Sequence, residues 1–224
     1  MCIKRQVMYI MNALYFKGEW SYQFDESLTD DKPFYLDDGS SKMVSTMTGK
    51  LKTLSYYTDT YRAVEMPYGD RSFSMVVIVP NGSLSDFYGE FTPQVWDDIT
   101  ASLDGQTEWQ EQEVIMPKFS FDYEKILNEQ LKALGMVDAF SDRVADLTGI
   151  SEKAPLVVSM VKQNSFVEVN EEGTEAAAVT VVEVIVTGVF GPEPFFINRP
   201  FIFAIRERAT NTLLFIGGVM DPEG

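Results

Sequence analysis

Glu171-Glu172-Gly173-Thr174-Glu175-Ala176-Ala177-Ala178-Val179-Thr180-Val181-Val182-Glu183-Val184-Ile185-Val186-Thr187-Gly188-Val189-Phe190-Gly191-Pro192-Glu193-Pro194 does not read as a single ordinary element. Its first part is small and pliable, whereas its second part is β-branched and favours a strand. Written as a strand, the even positions Thr174, Ala176, Ala178, Thr180, Val182, Val184 and Val186 carry no charge, and the odd positions hold Glu175 and Glu183. Such period-two segregation is the mark of a strand with one face buried and one in water. On pattern alone it also fits a core strand that is permanently in place. The sequence around it decides between the two.

Outward from this stretch the chain reads mostly as strands. Val7–Phe16 is a nearly continuous apolar run, the pattern of a strand buried on both faces. Leu51–Tyr57, Tyr61–Met66 and Phe73–Val79 follow, the last stopped by the turn signal Pro80-Asn81-Gly82. Asn81-Gly82-Ser83 is a formal glycosylation acceptor but reads as a turn. Thr92-Pro93 supplies an N-cap and a first-turn proline for a helix to about Leu103. Glu108–Ile115 alternates as a strand. Ile126, Leu127, Gln130, Leu131 and Leu134 at helical spacing predict a second helix from Asp122 or Tyr123, ended at Gly135. Val157–Val169 is a long strand, and Phe201–Arg206 with Leu213–Val219 forms a pair around Thr210-Asn211. Many strands and two helices predict an α+β, mainly β, domain.

Composition removes several function classes. The 224 residues include 34 acidic and 18 basic side chains, for a net charge of −16. That field repels nucleic acid and anionic membranes, and no apolar stretch is long enough to span a bilayer. With no histidine and one cysteine, Cys2, the chain can build no Ser-His-Asp or Cys-His device, no imidazole metal site and no internal disulfide. Neither a metal nor a cofactor is called for. An enzyme with paired carboxylates among Glu65, Asp70, Glu111 and Glu113 is conceivable, but no distinctive spacing supports it, and surface solvation is the expectation for these acids. Met1-Cys2-Ile3-Lys4-Arg5 lacks signal-peptide features, and strand-like sequence follows at once, which suggests a missing beginning.

Several motifs in order resemble the C-terminal part of the serpin family. Asn12-Ala13-Leu14-Tyr15-Phe16-Lys17-Gly18-Glu19-Trp20 with Phe24 looks like the end of the third strand of that family's main sheet. Met116-Pro117-Lys118-Phe119, Leu134-Gly135-Met136 with Phe140, and Ala145-Asp146-Leu147-Thr148-Gly149-Ile150 are similar to the stretch leading into the sixth strand and to the helix and turn after it. Glu168-Val169-Asn170-Glu171-Glu172-Gly173-Thr174-Glu175-Ala176-Ala177-Ala178 resembles the hinge of an inhibitory member, and Asn198-Arg199-Pro200-Phe201 and Phe215-Ile216-Gly217-Gly218-Val219-Met220-Asp221-Pro222 resemble its terminal strands.

The resemblance implies a single partial serpin domain over residues 1–224, a multi-sheet β fold with few helices, lacking the N-terminal helical part and the first strands of the main sheet. It implies a reactive loop at about 171–194 that a serine protease attacks and that then inserts into the sheet, trapping the enzyme as an acyl complex. Fourteen inserted residues would span roughly 45 Å. Counting from Gly173 places the cleaved bond at Thr187-Gly188, whereas counting back from Asn198 gives Val189, and Val186-Thr187 is a further alternative. Each presents a small uncharged side chain, suited to an elastase-like pocket. The implied hinge is Glu171, Gly173, Thr174, Ala176, Ala177 and Ala178. Lys118 and Glu171 would pair where the loop first enters, beside Trp20. Asn12 would face Gln163, a position that many members fill with histidine, so a pH response tied to that histidine is not expected here. The resemblance also implies an extracellular or periplasmic setting and the possibility of loop–sheet self-association. Lacking its partner strands, this chain alone is expected to inhibit poorly. The rival reading is a non-inhibitory carrier or chaperone, against which the small hinge residues Thr174 and Ala176–Ala178 argue.

Overall fold

The computed structural model describes residues 6–151, 156–174 and 192–222. The chain runs through β1 (Gln6–Tyr15), β2 (Gly18–Glu19), β3 (Asp30–Tyr35), β4 (Ser41–Tyr57), β5 (Tyr61–Tyr68) and β6 (Phe73–Pro80). Helices α1 (Leu84–Glu90) and α2 (Pro93–Asp104) come next, then β7 (Gln110–Pro117), β8 (Phe119–Ile126) and α3 (Asn128–Ala133). The last elements are β9 (Leu156–Val169), β10 (Gly173–Thr174), β11 (Phe195–Phe196), β12 (Phe201–Glu207) and β13 (Thr212–Val219). Strands dominate, and the fold is α+β.

The chain divides into two compact units, residues 1–16 with 121–167, and residues 17–120 with 168–224. The smaller unit carries a three-stranded sheet in the order β1-β9-β8, in which β1 and β9 run parallel. Here the structure corrects two expectations. The apolar run of β1 is not buried on both faces: Val7, Tyr9 and Met11 are 54, 56 and 73% exposed, because β1 is an edge strand with β9 as its one sheet neighbour among the described residues. Nor does a helix begin at Asp122 or Tyr123. Residues 119–126 continue as strand, as the alternation of aromatic and polar residues in Phe119-Ser120-Phe121-Asp122-Tyr123-Glu124 allows. Helix α3 then occupies six residues, and Gly135, at φ +100°, halts it in the left-handed region.

The larger unit carries an eight-stranded sheet in which seven strands run in the order β11-β7-β4-β5-β6-β12-β13 and the eighth, β3, lies beside β4. The 17-residue β4 makes this possible: Ser41–Thr53 pair with β3 and β7, and its last four residues, Leu54–Tyr57, pair with β5. Strand β6 is buried from Ser74 onward, Met75 to Val79 having no accessible surface, as the apolar run Met75–Val79 requires. Helix α2 begins where the Thr92 hydroxyl accepts the Val95 N–H, and it buries Trp96, Ile99, Thr100 and Leu103, one helical face. Helix α1 is not among the expected elements. Ser83 caps it by accepting the Asp86 N–H, and Leu84 and Phe87 pack with α2 against Leu54, Val76, Ile78 and Ile202. The signal that could have revealed it is Ser83-x-x-Asp86 just before an apolar pair.

Glu65 corrects the expectation of surface solvation. Its carboxylate is fully buried and accepts from Arg206, itself fully buried, at 2.8 Å, from Arg208 at 3.0 Å and from the Ser74 hydroxyl at 2.5 Å. Arg206 also forks onto Asp104 at the end of α2, at 2.7 and 2.9 Å, and onto Asn211 in the β12–β13 turn. One guanidinium thus joins two strands, a helix terminus and a turn. Arg206→Met should leave the buried Glu65 carboxylate with only Arg208 and Ser74 as donors, lowering unfolding free energy by about 3 kcal/mol in urea titration, the lower end expected for a broken buried ion pair because one cation remains. Adding Glu65→Gln should recover part of that loss.

Candidate functional site

The predicted hinge begins with a turn made by Asn170. Its side-chain oxygen accepts the N–H groups of Glu172 (3.1 Å) and Gly173 (3.2 Å), and its own N–H donates to the Gly173 carbonyl at 3.0 Å. This reverses the chain, so that β10 runs antiparallel to β2, with Gly173 opposite Glu19 and Thr174 opposite Gly18. The N–H groups of Trp20 and Phe24 donate to the carbonyls of Glu172 (2.9 Å) and Glu171 (3.0 Å). Gly173 is in close quarters. A Cβ there would lie 2.2 Å from the Gly18 carbonyl oxygen and 2.7 Å from the Glu19 Cα, and its φ is +146°.

Above the turn sits an aromatic stack. The Trp20 ring lies 4.3 Å from that of Tyr68 at an interplanar angle of 10°, and the Trp20 indole N–H donates to the Asn170 carbonyl at 3.0 Å. Thr174 is buried, its hydroxyl 2.9 Å from the Tyr68 hydroxyl. Burial pushes the Tyr68 phenol above its ordinary range, against the opposing pull of Thr174, so the ring stays neutral and able to donate.

Glu171 supplies the electrostatics. It pairs with Lys118 at 2.9 Å and accepts the Thr29 hydroxyl at 2.7 Å. Burial pushes its carboxyl up, but the hydrogen bonds from Thr29 and Lys118 outweigh burial and hold it below the ordinary glutamate value. In the smaller unit, Asn12 and Gln163 are register partners across the parallel β1–β9 pair, and the Asn12 amide donates to the Gln163 side-chain oxygen at 3.1 Å. Both amides are neutral at any physiological pH.

The larger unit therefore brings Trp20, Lys118, Glu171, Gly173 and Thr174 together, and the smaller unit brings Asn12 and Gln163 together. Ala176, Ala177, Ala178, Val186, Thr187, Gly188 and Val189 lie outside the described residues. Sequence reasoning missed Asn170, Tyr68 and Thr29. Asn170, three residues before Gly173, is a readable turn signal. Nothing local marks Tyr68 or Thr29, whose parts are set by tertiary contact.

Residues 3–222 match the model of the family described as serpin (serine protease inhibitor), and the chain belongs to that family. It is 39% identical over 94% of its length to Iripin-5 of Ixodes ricinus, covering 53% of that protein, and 37% identical over 95% of its length to leukocyte elastase inhibitor A of Mus musculus, covering 58% of it. The native-state crystal structure of tengpin, a thermophilic serpin, matches with a TM-score of 0.79 at 31% identity, over 95% of this chain and 55% of that one. The chain thus spans little more than half the length of the relatives it matches.

Gly173→Ala should free β10 from β2, because the atoms a methyl group meets are backbone and cannot swing aside. Hydrogen exchange should then show loss of protection at the amides of Trp20 and Phe24. The lowered pKa of Glu171 means that its stabilisation is complete above the ordinary glutamate pKa and fades as pH falls through the lower folded value. Lys118→Met should cost about 1–2 kcal/mol at pH 7, allowing for the partly wet lysine. That deficit should shrink towards pH 3 in acid-dependent urea titrations.

Proposed function

We propose that this chain forms the reactive-loop part of a serine protease inhibitor that acts as a suicide substrate. What carries the proposal is the parity of Thr174. Its side chain is buried and paired in a strand register, and it belongs to the uncharged set that continues through Ala176, Ala178, Thr180, Val182, Val184 and Val186. A strand continued from this pair would turn that whole set inward and send Glu175 and Glu183 to water, since side chains alternate strictly.

The chemistry follows from that geometry. A protease serine attacks the carbonyl carbon of Thr187, the bond to Gly188 breaks, and the amine of Gly188 departs with a proton, leaving Thr187 as an acyl ester on the serine. The freed upstream segment can then extend the strand begun at Gly173-Thr174, gaining ladder hydrogen bonds and burying Val182, Val184 and Val186, each worth about 1.5–3 kcal/mol when fully buried. Lys118, Glu171 and Thr29 hold the point of entry, and the Asn12–Gln163 bond has to yield for a strand to pass between β1 and β9. The small uncharged Thr187 suits an elastase-class target in an extracellular or periplasmic setting, and relatives include proteins named leukocyte elastase inhibitors. The exposed apolar residues of β1 argue that the described strands need more sheet around them to resist the pull of an inserted loop. We therefore expect the chain alone to be a poor inhibitor.

The complete inhibitor, incubated with an elastase-class serine protease, should yield an SDS-stable one-to-one complex. Mass spectrometry should place the cut at Thr187-Gly188, and the cleaved form should melt well above the intact one. Turnover of the loop without a stable complex and without a gain in melting temperature would favour a carrier or chaperone instead.

A further inference from the structure

In the larger unit an open cleft of about 840 Å³ is lined by Tyr57, Arg62, Pro192, Pro194, Phe196 and Arg199, with Glu193 as the one carboxylate among its lining residues. Its two arginines are unusual in a chain of net charge −16. Arg62 lies with its guanidinium 5.7 Å from the Phe195 ring and donates one bond to the Phe196 carbonyl at 2.9 Å. Arg199 donates one bond to the Asn81 carbonyl at 2.8 Å. Neither forms an ion pair with a carboxylate among the described residues. Each guanidinium has five donors, so several remain on both. Burial and the nearby Arg199 charge together push Arg62 below the ordinary arginine value, the signature of a cation lacking a counter-charge. The walls are fixed in advance: buried Gln112 donates to the Tyr57 hydroxyl at 2.9 Å and to the Glu193 carbonyl at 2.8 Å. With its oxygen accepting from Gln112, the Tyr57 hydroxyl keeps its own proton to donate.

We infer that this cleft binds a small organic anion, an oxyanion group carried on a flat apolar body. The oxyanion is held by Arg62 and Arg199, which match the planar, forked geometry of carboxylate, sulfonate and phosphate oxygens. The apolar body lies along Pro192, Pro194 and Phe196, giving the mixture of apolar wall and few convergent polar groups that marks ligand clefts. The site is independent of the inhibitor reading: it uses no residue of the hinge, and its failure would leave that reading as it stands.

The test is calorimetric titration of the full chain with naphthalene-2-sulfonate, with neutral naphthalene-2-methanol and with inorganic phosphate. The sulfonate should bind saturably, and the neutral probe about tenfold more weakly, the difference expected for loss of charge-assisted hydrogen bonds. Arg62→Gln and Arg199→Gln should each weaken sulfonate binding about tenfold, and the exposed Glu193→Gln should tighten it by about twofold or more through loss of a like charge. Equal binding of the sulfonate and the neutral probe would overturn the inference, as would arginine variants that bind like the parent. Should an arginine variant fail to fold, an unchanged affinity in Glu193→Gln would overturn it as well. Phosphate binding as tightly as the sulfonate would remove the apolar part of the assignment and leave an inorganic-anion site in place of the one inferred.

Discussion

The reversal of the chain at Asn170–Thr174 is the constraint on which the rest of the candidate site depends. Six hydrogen bonds converge on the four residues 170–173: from the N–H groups of Trp20 and Phe24, from the Trp20 indole, and within the turn from the N–H groups of Asn170, Glu172 and Gly173. The space left at Gly173 admits no side chain. Because the turn is seated this way, Thr174 falls beneath Tyr68, and the Glu171 carboxylate faces Lys118 and Thr29. Displace the turn by one residue and each of these contacts fails, since a one-residue slip exchanges the two faces of a strand.

Two kinds of polar contact serve two kinds of purpose in this molecule. In the larger unit, Arg206, Glu65 and Asp104 form a network whose arginine and glutamate have no exposed surface, and breaking it would strand a charge in the core. In the smaller unit, the parallel β1–β9 ladder carries an exposed amide pair, Asn12–Gln163, beside exposed Val7, Tyr9 and Met11. An exposed neutral hydrogen bond contributes on the order of 1 kcal/mol, and water can replace it. Elements that must move are drawn from the weakly held part of a fold. On the proposed mechanism, the side-chain bond that has to part is exposed and replaceable by water, in addition to the β1–β9 ladder itself, while the network that has to stay is buried.

Much of this architecture is legible in the sequence where local pattern and tertiary setting agree. Strands β6, β12 and β13 carry apolar runs between clear turns, β5 is rich in apolar and aromatic residues, and α2 carries both its cap and its buried stripe. The family motifs locate Trp20, Lys118, Glu171, Gly173 and Thr174, which the fold then gathers. Legibility fails where a pattern has two solutions. Residues 122–134 hold apolar side chains at helical spacing, yet the alternation that begins at Phe119 and pairing within the sheet keep 119–126 extended. The apolar run of β1 predicts burial, but burial needs a covering layer, and composition cannot say whether one is present. Glu65 is hidden for the opposite reason: a lone acid looks solvated until Arg206, 141 positions away in the chain, is folded against it. Tyr68 and Thr29 belong to the same class, since a contact between distant segments leaves no local trace.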